Sequence, residues 1–288
     1  MSIVITGATG QLGRLVVESL LRRGASPRGV VATGRNVARL AELADALGVH
    51  TAVADYADPR SLRAAFEGAD RVLLVSGTET GQRVKQHTAV VQAAKEAGVT
   101  LLAYTSIAHA DTAEMALATE HRETERVIRE SGIPFTFLRN SWYLENYLLQ
   151  IPTYLEHGVV GAAGEGRISA AARTDFADAA AAALLDPASV GRVYELGGAG
   201  FTLAGLAATV ADASGRPVTY TEVSPILLTE ILVGAGLPQQ YAEALVSADL
   251  GIARGELEVT TGDLERLIGR TPTSLGDAVD ASLATLAA

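Results

Sequence analysis

Residues 2–24, "SIVITGATGQLGRLVVESLLRRG", decide how the rest of the chain is read. A short β-branched run ends at Thr6, glycines follow as Gly7, Gly10 and Gly13, and apolar residues then recur at helical spacing through Leu12, Val16 and Leu20. A strand, a glycine-punctuated turn and an amphipathic helix make the opening of a βαβ unit. Gly7 permits the tight turn, Gly10 lets the backbone approach a pyrophosphate, and Gly13 lets the helix sit close on the sheet. The open N–H groups and positive end of that helix would face phosphates. The spacing is GxxGxxG, and a Gly-rich turn alone can produce it. Its place between strand and helix favours dinucleotide binding by Thr6, Gly7, Ala8, Thr9, Gly10, Gln11, Leu12 and Gly13.

The alternation continues. "GVVATG" (29–34), "VHTAVAD" (49–55), "DRVLLVSG" (70–77), "VTLLAYTS" (99–106) and "IPFTFLRN" (133–140) are separated by helix-patterned stretches, one of them over roughly 114–131. Short apolar strands between helices predict an α/β fold, a doubly wound parallel sheet covered on both faces. Gly24, Gly48, Gly68, Gly98 and Gly132 follow the helices as left-handed C-terminal residues. Beyond about residue 140 the rhythm loosens, with strand candidates in "RVYELGG" (192–198) and "PVTYTEV" (217–223). "RTDFADAAAAALLDP" (173–187) reads as a helix capped by Thr174 or Asp175, stopped by Pro187 and packed back on the sheet. We expect a dinucleotide-binding domain over 1–138 and 168–198, and a smaller helix-rich domain covering the substrate over 139–167 and 199–288.

The 288 residues can bury a large core, and 48% are hydrophobic. A net charge of −10 argues against a nucleic-acid partner. Cysteine is absent, which excludes disulfides and thiolate chemistry and fits a reducing compartment. No leader pattern opens the chain, and no apolar run nears the ~18 residues that span a bilayer. The expectation is a soluble cytoplasmic protein without membrane insertion.

The second strand ends in "ATGRN", where many NAD-binding chains carry an acid for the ribose hydroxyls. Arg35 can instead fork onto a 2′-phosphate, which favours NADPH, with NADH as the weaker alternative. The competing reading makes Arg35 a solvated residue opening the next helix. Asp55 and Tyr56 end the third strand and either border an adenine or, for Asp55, form a turn. Ser76, Gly77 and Thr78 follow the fourth strand beside the crevice. Tyr104, Thr105 and Ser106 end the fifth, as candidates for hydrogen bonds to ribose or acceptor.

Many reductases with this glycine spacing use a Tyr-x-x-x-Lys pair. Here Lys85 and Lys95 are the only lysines, and neither lies four residues after a tyrosine. Reduction of a simple ketone makes an alkoxide and needs a strong proton donor. Reduction of a quinone leaves a phenolate-like oxygen, with a proton affinity near that of tyrosine at ~10, so water or a weak donor suffices.

"MSIVITGATGQLG", "AYTSIAHADT", "EHRETE", "LRNSWYLENY", "LEHGVVGAAGEGRISAAARTDFADAAA" and "TTGDLERLIGRTPTSL" together resemble the bacterial type 2 NAD(P)H:quinone oxidoreductases. Triphenylmethane reductase is similar at greater distance, and both fall in the NmrA-like branch of atypical short-chain dehydrogenases. The resemblance covers essentially the whole chain. It implies a Rossmann domain with a small C-terminal domain and a two-electron reduction of quinones by NADPH, with neither flavin nor metal. Its nucleotide-binding pattern falls on Gly7 to Leu12, Arg35, Ser76 to Thr78, and the loop Asn140, Ser141, Trp142, Tyr143, Leu144 and Glu145. The chain departs from it in Gly34 before the arginine and in Gly77 and Thr78, where hydroxyl residues are expected.

Trp142, Tyr143 and Tyr147 can form a flat wall for a planar acceptor, although aromatics at such spacing are more often interdomain core. In reductases related to isoflavone reductase, the catalytic lysine aligns with His121. That histidine, in "ATEHRETE" (118–125), is therefore a candidate to bond a ribose hydroxyl or donate a proton, with Tyr104 as the other tentative catalytic residue. Equally, it reads as a solvated first-turn histidine. His87 and His109 show no ligand spacing. The expected partner is a quinone or other planar electrophile, and a homodimer is compatible with the sequence. The competing functions are an NmrA-type redox sensor without catalysis and a reductase of triphenylmethane or azo dyes.

Overall fold

The structure, a computed structural model, describes residues 1–79 and 81–287. Strands and helices alternate as β1 (Ile3–Ile5), α1 (Gln11–Arg22), β2 (Val30–Gly34), α2 (Val37–Leu47), β3 (His50–Val53), α3 (Pro59–Phe66), β4 (Arg71–Leu74), α4 (Arg83–Glu96), β5 (Leu101–Ile107), α5 (Ala116–Ser131) and β6 (Phe135–Asn140). The rest comprises α6 (Leu144–Leu148), α7 (Ile151–His157), β7 (Val159–Gly161), α8 (Arg173–Leu185), β8 (Val193–Leu196), α9 (Leu203–Ser214), β9 (Tyr220–Glu222), α10 (Pro225–Gly234), α11 (Gln239–Ala253), α12 (Asp263–Ile268) and α13 (Leu275–Ala287).

Seven strands form one sheet in the order β3-β2-β1-β4-β5-β6-β8, with every neighbour parallel. β7 and β9 pair separately, also in parallel. This is the Rossmann-like α/β architecture the strand-helix alternation predicts. The order reverses between β1 and β4, and that reversal opens a crevice at their C-terminal ends.

Strand periodicity builds the two faces. Ile3, Ile5, Leu73, Ala103 and Leu138 project to one side, where they meet Val16, Val17 and Leu20 of α1 and Phe176 to Leu184 of α8. Val4, Val72, Leu74, Leu102 and Phe137 project to the other side and meet Leu62 and Phe66 of α3, Val90 of α4 and Ile128 of α5. Both faces are dry, so the strands read as continuous apolar runs. A third core joins Leu144, Ile151, Val159, Leu206, Ile252 and Val279, which come from α6, α7, β7, α9, α11 and α13.

All five glycines expected after helices have positive φ. The expected cap of α8 is wrong. Thr174 and Asp175 lie inside its first turn, the N-cap position is Ala172 and carries no side-chain cap, and Glu145 Oε1 from α6 accepts the Arg173 N–H at 2.9 Å instead. Asp175 is fully buried because it pairs with Arg270 at 2.6 Å and accepts the Thr273 N–H at 2.8 Å. Among the described residues, no helix is long and apolar enough to cross a membrane.

Candidate active site

The site grows from the turn between β1 and α1. Gly7 adopts φ +60°, a conformation that favours glycine. A Cβ on Gly13 would lie 2.4 Å from the Gly7 carbonyl and 2.8 Å from Ala8 Cα, so only glycine lets α1 dock on the loop. Gly10 sits at the N-cap without a side chain to cap it, which leaves the first-turn N–H groups open to an anion. Thr6 and Tyr56 lock the strand tips. Thr6 Oγ1 accepts the Val75 N–H at 3.0 Å and bonds the Tyr56 hydroxyl, which donates to the Val75 carbonyl at 2.8 Å. Burial pushes the Tyr56 phenol well above its ordinary value, so it stays neutral.

At the outer corner, Asn36 caps α2 by accepting the Arg39 N–H, so Arg35 precedes the helix and lies outside it. The Arg35 guanidinium meets Glu79 at 2.9 Å across the mouth of the crevice, and both side chains are exposed. Arg39, which sequence reasoning missed, donates to the Thr9 carbonyl at 3.2 Å and brings a second cation to the same corner. Gly34, the departure from the family pattern, has a cause: a Cβ there would come within 2.6 Å of Thr9 Oγ1. Asp55 forms a turn, its Oδ1 accepting the Ala57 N–H at 2.9 Å.

Beyond β4, the Ser76 N–H donates to Thr105 Oγ1 at 2.9 Å. Gly77 is clamped on both backbone groups: its N–H donates to His87 Nε2 at 3.0 Å, and its carbonyl accepts from Arg83 Nε at 2.8 Å. Since Nε2 accepts, the His87 proton sits on Nδ1 and is donated to Thr124 Oγ1 at 3.0 Å. Arg83 is in turn paired with Glu120 at 2.7 Å. Thr78 is exposed beyond this clamp.

The candidate catalytic pair is brought together, in a place other than expected. Tyr104 lies mid-strand with no accessible surface, and its hydroxyl is 2.7 Å from His121 Nδ1. Tyr104 therefore cannot touch an acceptor in this conformation. His121 is buried too, which overturns its reading as a solvated first-turn residue; burial, with Arg83 nearby, drives its pKa well below the ordinary value and keeps it neutral. Ser106 donates to Glu125 at 2.7 Å, within a buried network around Arg139.

The far wall is the segment after β6. Asn140 Oδ1 and Glu145 Oε2 are buried without a hydrogen-bond partner among the described residues. Such acceptors suit a ligand that brings its own donors. Ser141 donates to the Leu257 carbonyl at 2.9 Å and Leu144 is core, so both anchor the segment. Tyr143 packs edge-on against Phe176 with the Arg173 guanidinium 4.8 Å over its ring. Trp142 and Tyr147 turn instead to the third core, Tyr147 standing edge-on to Phe201. The three rings thus divide between two cores and do not make one wall. The open helix end, the glycine cradle, the cations at its corner and the two orphan acceptors together fit a phosphorylated dinucleotide.

Residues 1–275 match the NmrA-like family. The chain belongs to it. Its relatives include quinone oxidoreductase 2 of Escherichia coli (strain K12), 46% identical over 279 residues, 96% of this chain and 97% of that protein. The NAD(P)H azoreductase of Xenophilus azovorans is 32% identical over 246 residues, 84% of each chain. Among solved structures, the NADPH-dependent quinone oxidoreductase of E. coli complexed with NADPH superposes with a TM-score of 0.94 at 44% identity, covering 98% of this chain and 99% of that one. Triphenylmethane reductase of Citrobacter sp., complexed with NADP(H), gives 0.92 at 36%, covering 98% and 100%.

In this NmrA-like chain the clamp on Gly77 has a measurable consequence. Burial lowers the His87 pKa from 6.5 to about 3, and His121 shifts in the same direction. The unfolded chain then takes up protons that the folded chain refuses, so the stability tied to both histidines is present above pH 6.5 and is lost as pH falls from there towards 3. We expect the contribution of His87 to the unfolding free energy to drop by about 2 kcal/mol between pH 7 and pH 5, with His121 acting in the same direction, measured by urea denaturation. His87→Gln, which can still accept from Gly77 and donate to Thr124, should remove that contribution from the pH slope and leave the part due to His121. An unchanged slope would show that His87 is not buried in its neutral form.

Proposed function

We propose that this chain is an oxidoreductase that passes two electrons from NADPH to a quinone, giving the hydroquinone, without flavin, metal or a Tyr-x-x-x-Lys pair. The observation that carries this reading is the 46% identity, over 96% of the chain, to an E. coli quinone oxidoreductase. NADPH, when bound, supplies the hydride. The first turn of α1 and Arg35 hold its phosphates, Ser76 to Thr78 border its ribose, and Asn140 and Glu145 offer acceptors to its carboxamide. The quinone lies beside Trp142 and Tyr147, and the smaller unit over 139–167 and 199–288 excludes water from it. The proton that completes the hydroquinone comes from water, because the quinone oxygen, which stays on the ring as a phenolate once hydride has been added, is only as basic as tyrosinate at ~10. Tyr104 and His121 act as a positioning pair that ties the middle of β5 to α5.

The test is loss of NADPH absorbance with benzoquinones, naphthoquinones and dyes. Turnover with the quinones supports the reading; tight NADPH binding with no turnover on any acceptor would sink it and favour a sensor. The azoreductase and triphenylmethane reductase relatives make dye reduction the second reading, favoured if dyes turn over faster than every quinone. For His121→Ala, we expect the thermal midpoint to fall, since the Tyr104 hydroxyl loses its buried partner at a cost of about 1–3 kcal/mol. Quinone turnover per folded enzyme should stay within about tenfold, short of the 10²-fold or more that removal of a general acid typically costs. A larger loss would make His121 a proton donor.

A further inference from the structure

We propose that Glu79 is a specificity-determining residue: it holds Arg35 before cofactor binds and is exchanged for the 2′-phosphate of NADPH. This rests on the reading of the crevice as a dinucleotide site, and it assigns a role to a residue that the glycine pattern does not touch. Glu79 Oε1 meets Arg35 Nη1 at 2.9 Å, joining the loop after β4 to the tip of β2 across the crevice mouth. The contact is aimed by the fold. Gln86, on a buried face of α4, donates to Glu79 Oε2 at 2.8 Å, and Gln86 itself lies against Gly77, the residue gripped by His87 and Arg83. Glu79 is therefore presented to Arg35 by a rigid base.

Two anions cannot share one exposed guanidinium without repelling each other. A phosphate dianion arriving at Arg35 displaces the carboxylate, while a cofactor with a bare ribose hydroxyl leaves the pair intact. The pair consequently taxes NADPH and spares NADH, and the preference for NADPH is smaller than Arg35 alone would give. Arg39, already at the Thr9 carbonyl, stays available to the phosphate throughout.

The experiment is equilibrium titration of the full chain with NADPH and with NADH, following nicotinamide fluorescence, for the parent, Glu79→Gln, Arg35→Ala and the double variant. Exposed pairs of this kind carry effects up to about fivefold. Glu79→Gln should tighten NADPH by about three- to fivefold and leave NADH within twofold, and the tightening should vanish when Arg35 is already alanine. Equal tightening of both cofactors, or persistence of the effect without Arg35, would overturn the exchange. Weaker binding of NADPH in Glu79→Gln would overturn it as well, by making Glu79 a ligand. Failure of the parent to bind either cofactor would instead sink the dinucleotide reading itself, a result distinct from the others.

Discussion

Arg35→Ala is expected to raise the dissociation constant of NADPH by about 10- to 100-fold while changing that of NADH by less than threefold. A charge-assisted fork onto a phosphate contributes about 1.5–3 kcal/mol, and each 1.4 kcal/mol is tenfold in affinity. The lower end of that range applies because the side chain is well exposed, because Glu79 already engages it at 2.9 Å, and because Arg39 remains at the same corner to meet the phosphate. The fold should tolerate the change, since Arg35 makes no other hydrogen bond among the described residues and Asn36 caps α2 independently. Circular dichroism and thermal midpoint should therefore match the parent. Titration with both cofactors decides the outcome: an equal loss for NADPH and NADH would mean that Arg35 supports the loop and does not read the 2′-phosphate. Raising ionic strength should shrink the difference, because the contact is solvent-exposed.

The parts of this molecule that were legible in sequence are those in which neighbours along the chain decide the structure. Gly7 and Gly13 announce a turn that must pass under a helix, and β-branched runs between helical stripes announce a parallel sheet. His121 was legible in principle: Ala118, His121, Glu125 and Ile128 recur at spacings of three and four along the buried face of α5, which puts the histidine inside. The acidic letters around it concealed that stripe, because Glu125 is buried only by virtue of an arginine on another element. Other features depend on pairings distant in sequence and have no local signature. The Asp175 carboxylate reads as a helix cap until Arg270, 95 residues later, is found against it. The same holds for Glu145, whose oxygen caps α8 from 28 residues away. His87 and Arg83 lack any ligand spacing because what they hold is a backbone turn. Tyr143 and Trp142, adjacent in an extended segment, point to opposite sides, so a single aromatic wall fails for the same period-two reason that orders the sheet.

Arg139→Met should produce the largest loss of stability. Arg139, at the end of β6, is buried; it grips Glu125 through two bonds of 2.7 and 2.9 Å and reaches Glu195 of β8 at 2.9 Å and Asp111 at 3.0 Å. Glu125 is 5% exposed and Glu195 15%, so removing the cation leaves two carboxylates without their shared partner and with little water. Breaking a buried network in this way costs about 3–5 kcal/mol. For a chain of this size that lowers the melting temperature by roughly 10 °C. The remaining contact from Arg129 to Glu125, at 3.9 Å and on the solvent side, is too long and exposed to compensate. Two further measurements separate electrostatics from packing. The first is Glu125→Gln in the Arg139→Met background, which removes one of the charges left without its cation and should narrow the deficit relative to the parent. Replacing Glu125 and Glu195 by apolar residues in the Arg139→Met background should recover most of the loss, because an apolar core of similar volume is no less stable than the ion cluster it replaces. A deficit that neither change narrows would show that the methylenes of Arg139, and not its charge, hold β5, β6 and β8 together.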